Sequence, residues 1–330
     1  MKRNTIPALV LLGIALFGSL LAMGQSDSTK TFKPNGKAIL TIFGNLHSQF
    51  TQTKNTGFEL ERAYLGYEAN LSQHLSAKVV VDMGKSTDVN DLQRLVYLKN
   101  AYLTWNKNNF KLSAGMVGMQ QFSVQEKAWG HRYLYKSLQD EYKFGSSADL
   151  GLVAEYKFVP FASADLTIVN GDGYKKVQLN PYFLYGLGLT FKPVKDLTLR
   201  LYGAYKDCDH TDSLLVGQEN ITGFLSYKVG GVTLGAEYAM LWNTKHVNGN
   251  HQQGVSAFVN VALPKKFELF ARWDCLLSND YPATLKEQVG ILGCQYAPVK
   301  QVRVSPNVRV KAVPGEAVAV FGYLNMEVKF

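Results

Sequence analysis

From residue 38 onward the apolar residues of this 330-residue chain recur at every second position. Leu197, Leu199, Leu201, Gly203 and Tyr205 alternate with Thr198, Arg200, Tyr202, Ala204 and Lys206. Leu75, Ala77, Val79, Val81 and Met83 alternate with Ser76, Lys78, Val80 and Asp82; Leu269, Ala271, Trp273 and Cys275 alternate with Glu268, Phe270, Arg272 and Asp274. A period of two puts successive side chains on opposite faces of a strand, whereas a helix repeats its apolar positions every three to four residues. Each segment thus has one apolar face and one that carries charge. About sixteen segments follow this rule: 38–50, 58–71, 75–83, 95–106, 110–118, 148–158, 161–170, 181–192, 196–206, 219–229, 231–243, 252–263, 266–277, 286–297, 301–311 and 317–330. Most are near the length of about 9–11 residues that a tilted strand needs to cross a bilayer.

The connections sort by parity. Every second one is very short, as in Ser72-Gln73-His74, Lys107-Asn108-Asn109, Val159-Pro160, Pro193-Val194-Lys195, Gly230, Pro264-Lys265 and Pro298-Val299-Lys300. Those between them are mostly longer and rich in Asn, Asp, Gly, Lys and Gln. A soluble sandwich has no reason to sort its loops this way, but a membrane barrel with one external face does. An open sheet in lipid would leave edge N–H and C=O groups without partners, so the barrel must close. About 8 strands give an interior filled by side chains and about 16–18 leave an aqueous channel. The expected fold is therefore all-β: a transmembrane antiparallel barrel of about sixteen strands with a water-filled bore.

Composition agrees without deciding the matter. Tyr and Phe contribute 18 residues each and Gly 29, which suits aromatic girdles and crowded strands. After Phe17 no run of 18 apolar residues occurs, so no helix is expected to span a membrane. Residues 1–24 read as a secretory signal peptide: Lys2 and Arg3, an uncharged apolar run from Ile6 to Leu21, then small residues in Ala22-Met23-Gly24. Cleavage after Gly24 would lower the formal charge from +9 to +7 and leave 25–37 as a short N-terminal segment before a barrel over 38–330. Gly322, Leu324, Met326, Val328 and Phe330 alternate up to an aromatic end, the form of terminus the barrel-assembly machinery is thought to read. Cys208, Cys275 and Cys294 lack metal-like spacing. One bridge between Cys275 and Cys294 is compatible with strand order; the plainer reading is three small apolar residues.

The longest connection, 119–147, follows the fifth strand and reads MQQFSVQEKAWGHRYLYKSLQDEYKFGSS. Its aromatics (Phe122, Trp129, Tyr133, Tyr135, Tyr142, Phe144) favour a packed loop over a loose one. Around it, FELERAYLGYEANLS (58–72), LKNAYLTW (98–105), KLSAGMVGMQQFSVQE (111–126), IVNGDGY (168–174) and GVSAFVNVALPKKFELFARWD (254–274) resemble segments of the phosphate-selective porin O and P family. The resemblance covers most of the chain after residue 37 in short pieces. It implies a sixteen-stranded, trimeric, anion-preferring pore in the bacterial outer membrane, whose third outer loop folds inward as a constriction. Where the family often carries paired arginines before the Ala-Tyr of the second strand, this chain has Glu61-Arg62.

With the polar parity inward, Arg62, Lys78, Arg200, Arg272, Arg303, Arg309 and Lys311 are expected to line the pore, with Asp82, Glu237, Glu268 and Asp274 on the same face. Basic rings favour anions, but pairing with those carboxylates would merely keep the wall wet and rigid. Val289 and Ile291 leave the parity of the fourteenth strand ambiguous. On the loop, Glu126, Lys127, His131, Arg132 and Lys136, together with Asp140, Glu141 and Lys143, are mixed in sign. They would set a transverse field across an eyelet or else stay solvated.

Nothing points to catalysis. The six His are scattered, no HxxxH, HExxH or CxxC spacing occurs, and the Gly-containing stretches do not match a phosphate loop opening a helix. The expected partners are small anions or other polar solutes, outer-membrane lipid and lipopolysaccharide, the assembly machinery and two further copies in a homotrimer. No enzyme activity, cofactor, metal or nucleic acid is expected. A plugged receptor or structural barrel and, behind it, a lipid-modifying barrel enzyme are the competing readings.

Overall fold

The computed structural model describes residues 32–51, 56–85, 93–277 and 284–330. The expected signal peptide, 1–24, lies outside them, as does most of the segment 25–37. Among the described residues sixteen strands run in chain order: β1 (Asn35–Gln49), β2 (Thr56–Asn70), β3 (Leu75–Lys85), β4 (Arg94–Lys107), β5 (Phe110–Gly118), β6 (Ala148–Val159), β7 (Ala162–Val169) and β8 (Leu184–Phe191). There follow β9 (Leu197–Lys206), β10 (Gln218–Val229), β11 (Val232–Trp242), β12 (Gln252–Ala262), β13 (Phe267–Leu277), β14 (Leu285–Val299), β15 (Val302–Ala312) and β16 (Ala319–Lys329). Each pairs antiparallel with its sequence neighbours, and β1 closes on β16 from Thr41 opposite Lys329 to Gln49 opposite Phe321. Two short helices, α1 (Ser123–Trp129) and α2 (Leu138–Glu141), lie between β5 and β6.

The parity of the connections is as the sequence implied. One end of the barrel carries tight turns, for example Gly230-Gly231, where Val229 faces Val232 and both glycines have positive φ (54° and 85°). Two consecutive left-handed residues suit a two-residue hairpin, and glycine adopts them without strain. The other end carries the longer loops, with 119–147 bounded by Gly118 and Ala148 as expected.

The outer face is apolar. Leu65, Val79, Leu103, Leu152, Leu187, Leu201, Leu225, Leu234, Leu292 and Leu324 are all exposed. In water so much contiguous apolar surface would drive association, whereas hydrocarbon tolerates it. Aromatic pairs sit outside at the tight-turn end, Trp105 with Phe110 at 5.9 Å and Phe267 stacked on Tyr296 at 4.7 Å. They are placed as a girdle would be.

Two expectations need correction and one alternative is decided. The barrel begins at Asn35, not 38, because Asn35 to Lys37 already pair with Asn70 to Glu68. The plainer reading of the cysteines holds: Cys275 and Cys294 are free, as is Cys208. Cys275 faces Gln288, so Cys294 lies six register positions away, roughly 20 Å at about 3.3 Å per residue and far beyond disulfide reach. The inner face is also not uniformly polar. Phe43, Tyr64, Val80, Phe224, Phe258, Phe270, Val289 and Ile291 point inward and form a buried cluster with Trp129, Tyr133 and Leu134. The ambiguity at Val289 and Ile291 is thereby resolved: they are a cradle for the long loop.

Candidate functional site: the constriction of the bore

Loop 119–147 lies inside the barrel because its own sequence supplies both an apolar side and a polar one. Trp129 (1% exposed) and Tyr133 (0%) pack on the inward phenylalanines, with Trp129 5.4 Å from Phe258 and 6.0 Å from Phe270 between ring centroids. Burying such rings contributes about 1.5–3 kcal/mol each, enough to hold a loop this long against its conformational entropy only if its polar groups also find partners. They do. The Gln125 and Gln139 amides donate to Glu237 Oε1 at 3.3 and 2.6 Å, Asn260 donates to Trp129 O at 2.9 Å, and the Tyr133 hydroxyl meets Gln295 and Ser305. Wall arginines take the loop carbonyls: Arg200 binds Gln120 O at 2.7 Å, Arg272 binds Lys136 O at 2.8 Å and Arg303 binds Gly130 O at 3.2 Å. Burial pushes the Tyr133, Tyr135 and Tyr142 hydroxyls above the ordinary phenol range, which keeps them neutral.

Across the gap, two β-bulges shape the facing wall. On β2, Phe43 faces Arg62 but Gly44 faces Leu60, so Glu61 is an extra residue. On β4, Val80 faces Asn100 but Val81 faces Leu98, so Lys99 is extra. A bulge lets two consecutive side chains share a face. Glu61 and Arg62 both enter the bore, as do Lys99 and Asn100. Three cations then converge on one phenol. Arg62, Lys99 and Arg132 donate to the Tyr64 hydroxyl at 3.1, 3.0 and 3.3 Å. Arg62 also pairs with Asp82 at 3.2 Å, and Arg132 with Glu126 at 2.6 Å and Asp140 at 2.8 Å. Burial opposes the Arg132 charge, but Tyr64, Glu126 and Asp140 more than offset it and hold its pKa well above the ordinary value.

Between loop and wall lies a cavity of about 520 Å³, lined by Lys78, Lys99, Lys127, Arg132, Arg303 and Lys329 against the acids Glu126 and Glu327. A second, of about 580 Å³ at the tight-turn end, shares Lys127 and adds Lys111, Lys157 and Lys192. Its acids are Glu155 and Asp165, so basic side chains outnumber acidic ones in both cavities, an arrangement that attracts anions toward the gap.

The seven basic residues expected to line the pore divide by what covers them. Arg62, Lys78 and Arg303 face the gap or its cavity. Arg309 lies over the Tyr323 ring at 3.8 Å and bonds Asn307 and Asn325; Lys311 pairs with Glu287 at 2.7 Å. Arg200 and Arg272 require correction: they point inward but are 2% and 4% exposed, held by Asp165 and Asp274 beneath the loop. On the loop, Glu126, Lys127 and Arg132 reach the gap, and Lys136 lies 3.5 Å from Glu141. His131 is also corrected. It is 1% exposed, 4.6 Å from the Phe270 ring and 2.8 Å from Glu268, so it packs into the wall because its neighbours Trp129 and Tyr133 do. Tyr64 and Lys99 escaped the sequence reading: Tyr64 shares the inward parity of Arg62 but carries no charge, and Lys99 lies at a bulge where a strict period of two breaks. Among the described residues no group of three His, Cys, Asp or Glu is placed to hold a metal.

No family model and no curated protein matches the sequence, so the resemblance to the phosphate-selective porin O and P family rests on its motifs. Solved structures do match. Salmonella typhi OmpF in complex with daunomycin superposes with a TM-score of 0.67 at 10% identity, covering 89% of this chain and 97% of that one. An anion-selective porin from Comamonas acidovorans gives 0.65 at 10% identity over 90% and 100% of the two chains. The outer membrane channel DcaP of Acinetobacter baumannii gives 0.63 at 11% identity over 92% and 100%. At these identities the likeness is one of fold: a porin-like barrel.

Proposed function

We propose that this barrel is an outer-membrane porin that passes small hydrophilic solutes by diffusion and prefers anions, phosphate among them. The observation that carries the reading is the gap itself, where Arg62, Lys99 and Arg132 meet on the Tyr64 hydroxyl beside a predominantly basic cavity. An anion passing there can exchange its water for guanidinium and ammonium donors, while a cation meets repulsion. Likeness of fold to an anion-selective porin supports the reading. It assigns the barrel no catalytic role and no cofactor. Residues 1–24 direct export and are removed, and the membrane form is a homotrimer; a trimer form is also described for Vibrio cholerae OmpT, whose fold is similar.

The test is electrical. Purified protein in planar bilayers is expected to give stepwise, ohmic conductance, with a reversal potential of anion sign in a KCl gradient. Replacing chloride by phosphate is expected to retain current. Folded protein that conducts nothing would favour the plugged receptor, and a reversal potential of cation sign would overturn the anion preference.

A further inference from the structure

Loop 170–183, between β7 and β8, also turns into the barrel. Its entry is fixed by Asp149 on β6. One carboxylate oxygen accepts the Gly171 and Gly173 N–H groups, each at 2.9 Å, and the other accepts Leu150 N–H at 2.8 Å. Both glycines have positive φ (90° and 80°), and a Cβ at Gly173 would fall 2.6 Å from Ser146 Oγ, so the turn is built for glycine. It delivers Tyr174, whose N–H bonds Ala148 O at 3.0 Å and whose hydroxyl donates to Asp82 on the opposite wall.

Lys175 follows into the bore. Its Nζ is 4.7 Å from the Tyr97 ring centroid and 5.7 Å from that of Tyr174, and it lies 3.9 Å from where a Cβ on Gly84 would be. Lys99 Nζ is likewise 5.7 Å from the Tyr174 centroid and 4.3 Å from that of Tyr64. Tyr97 and Tyr174 meet edge to face at 6.4 Å. The order from the long-loop end down to the gap is Tyr97, Lys175, Tyr174, Lys99, Tyr64: rings and ammonium groups in alternation. Among the described residues neither Lys99 nor Lys175 has a carboxylate at ion-pair distance, unlike Arg62, Arg132, Arg303 and Lys311.

A small inorganic anion would use only the two ammonium groups, and the flanking rings would be idle. A flat ring carrying a carboxylate uses both: the carboxylate reaches an ammonium while the ring packs edge-on or offset against Tyr97 or Tyr174. We propose that Lys99, Lys175, Tyr97 and Tyr174 form a binding station for ring-bearing organic carboxylates on the long-loop side of the gap, with loop 170–183 as a second constricting element. The station deepens the anion-porin reading and, as a transport feature, rests on it.

The experiment is block of chloride current by added organic anions. In wild-type channels benzoate is expected to halve the current at a concentration about tenfold below that needed with acetate. Lys175→Gln is expected to raise the half-blocking concentrations of both benzoate and acetate about fivefold, Tyr97→Leu to raise that of benzoate alone, and Lys300→Gln in a tight turn to change neither. Equal potency of benzoate and acetate, or benzoate block untouched by Lys175→Gln, overturns the station. If the wild type carries no current in KCl alone, the porin reading fails by itself. Saturation-transfer NMR of benzoate with the micelle-folded barrel then reads the station directly. A signal weakened by Lys175→Gln supports it; an equal signal overturns it.

Discussion

The two sides of the bore hold their cations in opposite ways. Under loop 119–147, Arg200 and Arg272 are each matched to a carboxylate and a loop carbonyl and are sealed from water. On the β2–β4 side, Lys99 and Arg62, the latter also paired with Asp82, crowd the single Tyr64 hydroxyl beside an open cavity. Arg62, Arg200 and Arg272 come from the same inward parity, and Lys99 joins them through a bulge. The difference is what covers them: one side meets a loop with apolar rings and free carbonyls, the other meets water. A basic residue on an inner face is therefore a fastener or a lure according to its cover, and only the lures bear on ion selection.

The largest effect expected from this contrast is on the fastened side. Asp274→Ala leaves Arg272 buried without its 2.7 Å partner and should cost about 3–5 kcal/mol, read from denaturant unfolding in micelles, with faster proteolysis within 119–147. Replacing both residues by apolar ones of similar volume should recover most of the loss. An intermediate effect belongs to the open side. Lys99→Gln should reduce anion over cation permeability by about twofold, by reversal potential, with less than about 0.5 kcal/mol change in unfolding. The smallest belongs to a cation that is exposed yet already matched. Arg303→Gln should shift the reversal potential less than Lys99→Gln does, because Glu327 lies 3.1 Å from the guanidinium and Gly130 O takes a further bond. Should Arg303→Gln prove the stronger, the distinction between covered and open charge would not govern selectivity.

Strand number, loop parity and the bounds of the long loop were legible because alternation and turn residues are local signals, repeated sixteen times. The site was legible only in part. Arg62, Glu126 and Arg132 could be named from parity and loop position. Lys99 could not, since it lies at a bulge where the alternation slips by one residue, although the unbroken polar pair Lys99-Asn100 inside a strand is a signal for such a slip. The fate of Arg200, Arg272 and His131 depended on Phe258 and Phe270 pointing inward, which reads from sequence as a flaw in the pattern. It becomes intelligible once a loop is there to cover them. The inward turn of 170–183 hinges on Asp149, more than twenty residues before the glycines it caps, a pairing that no local pattern announces.

The seam between β1 and β16 has a consequence for how the molecule is made. Leu40 O accepts Phe330 N–H at 2.9 Å, joining the first strand to the final residue. Loop-closure entropy rises only with the logarithm of chain length, so the separation weakens the finished cylinder little, yet it dictates the schedule. Until the last strand arrives, both rims of the sheet stay unzipped, each a template for a neighbouring chain. Refolding yield should therefore fall as protein concentration rises, with intermolecular sheet as the by-product.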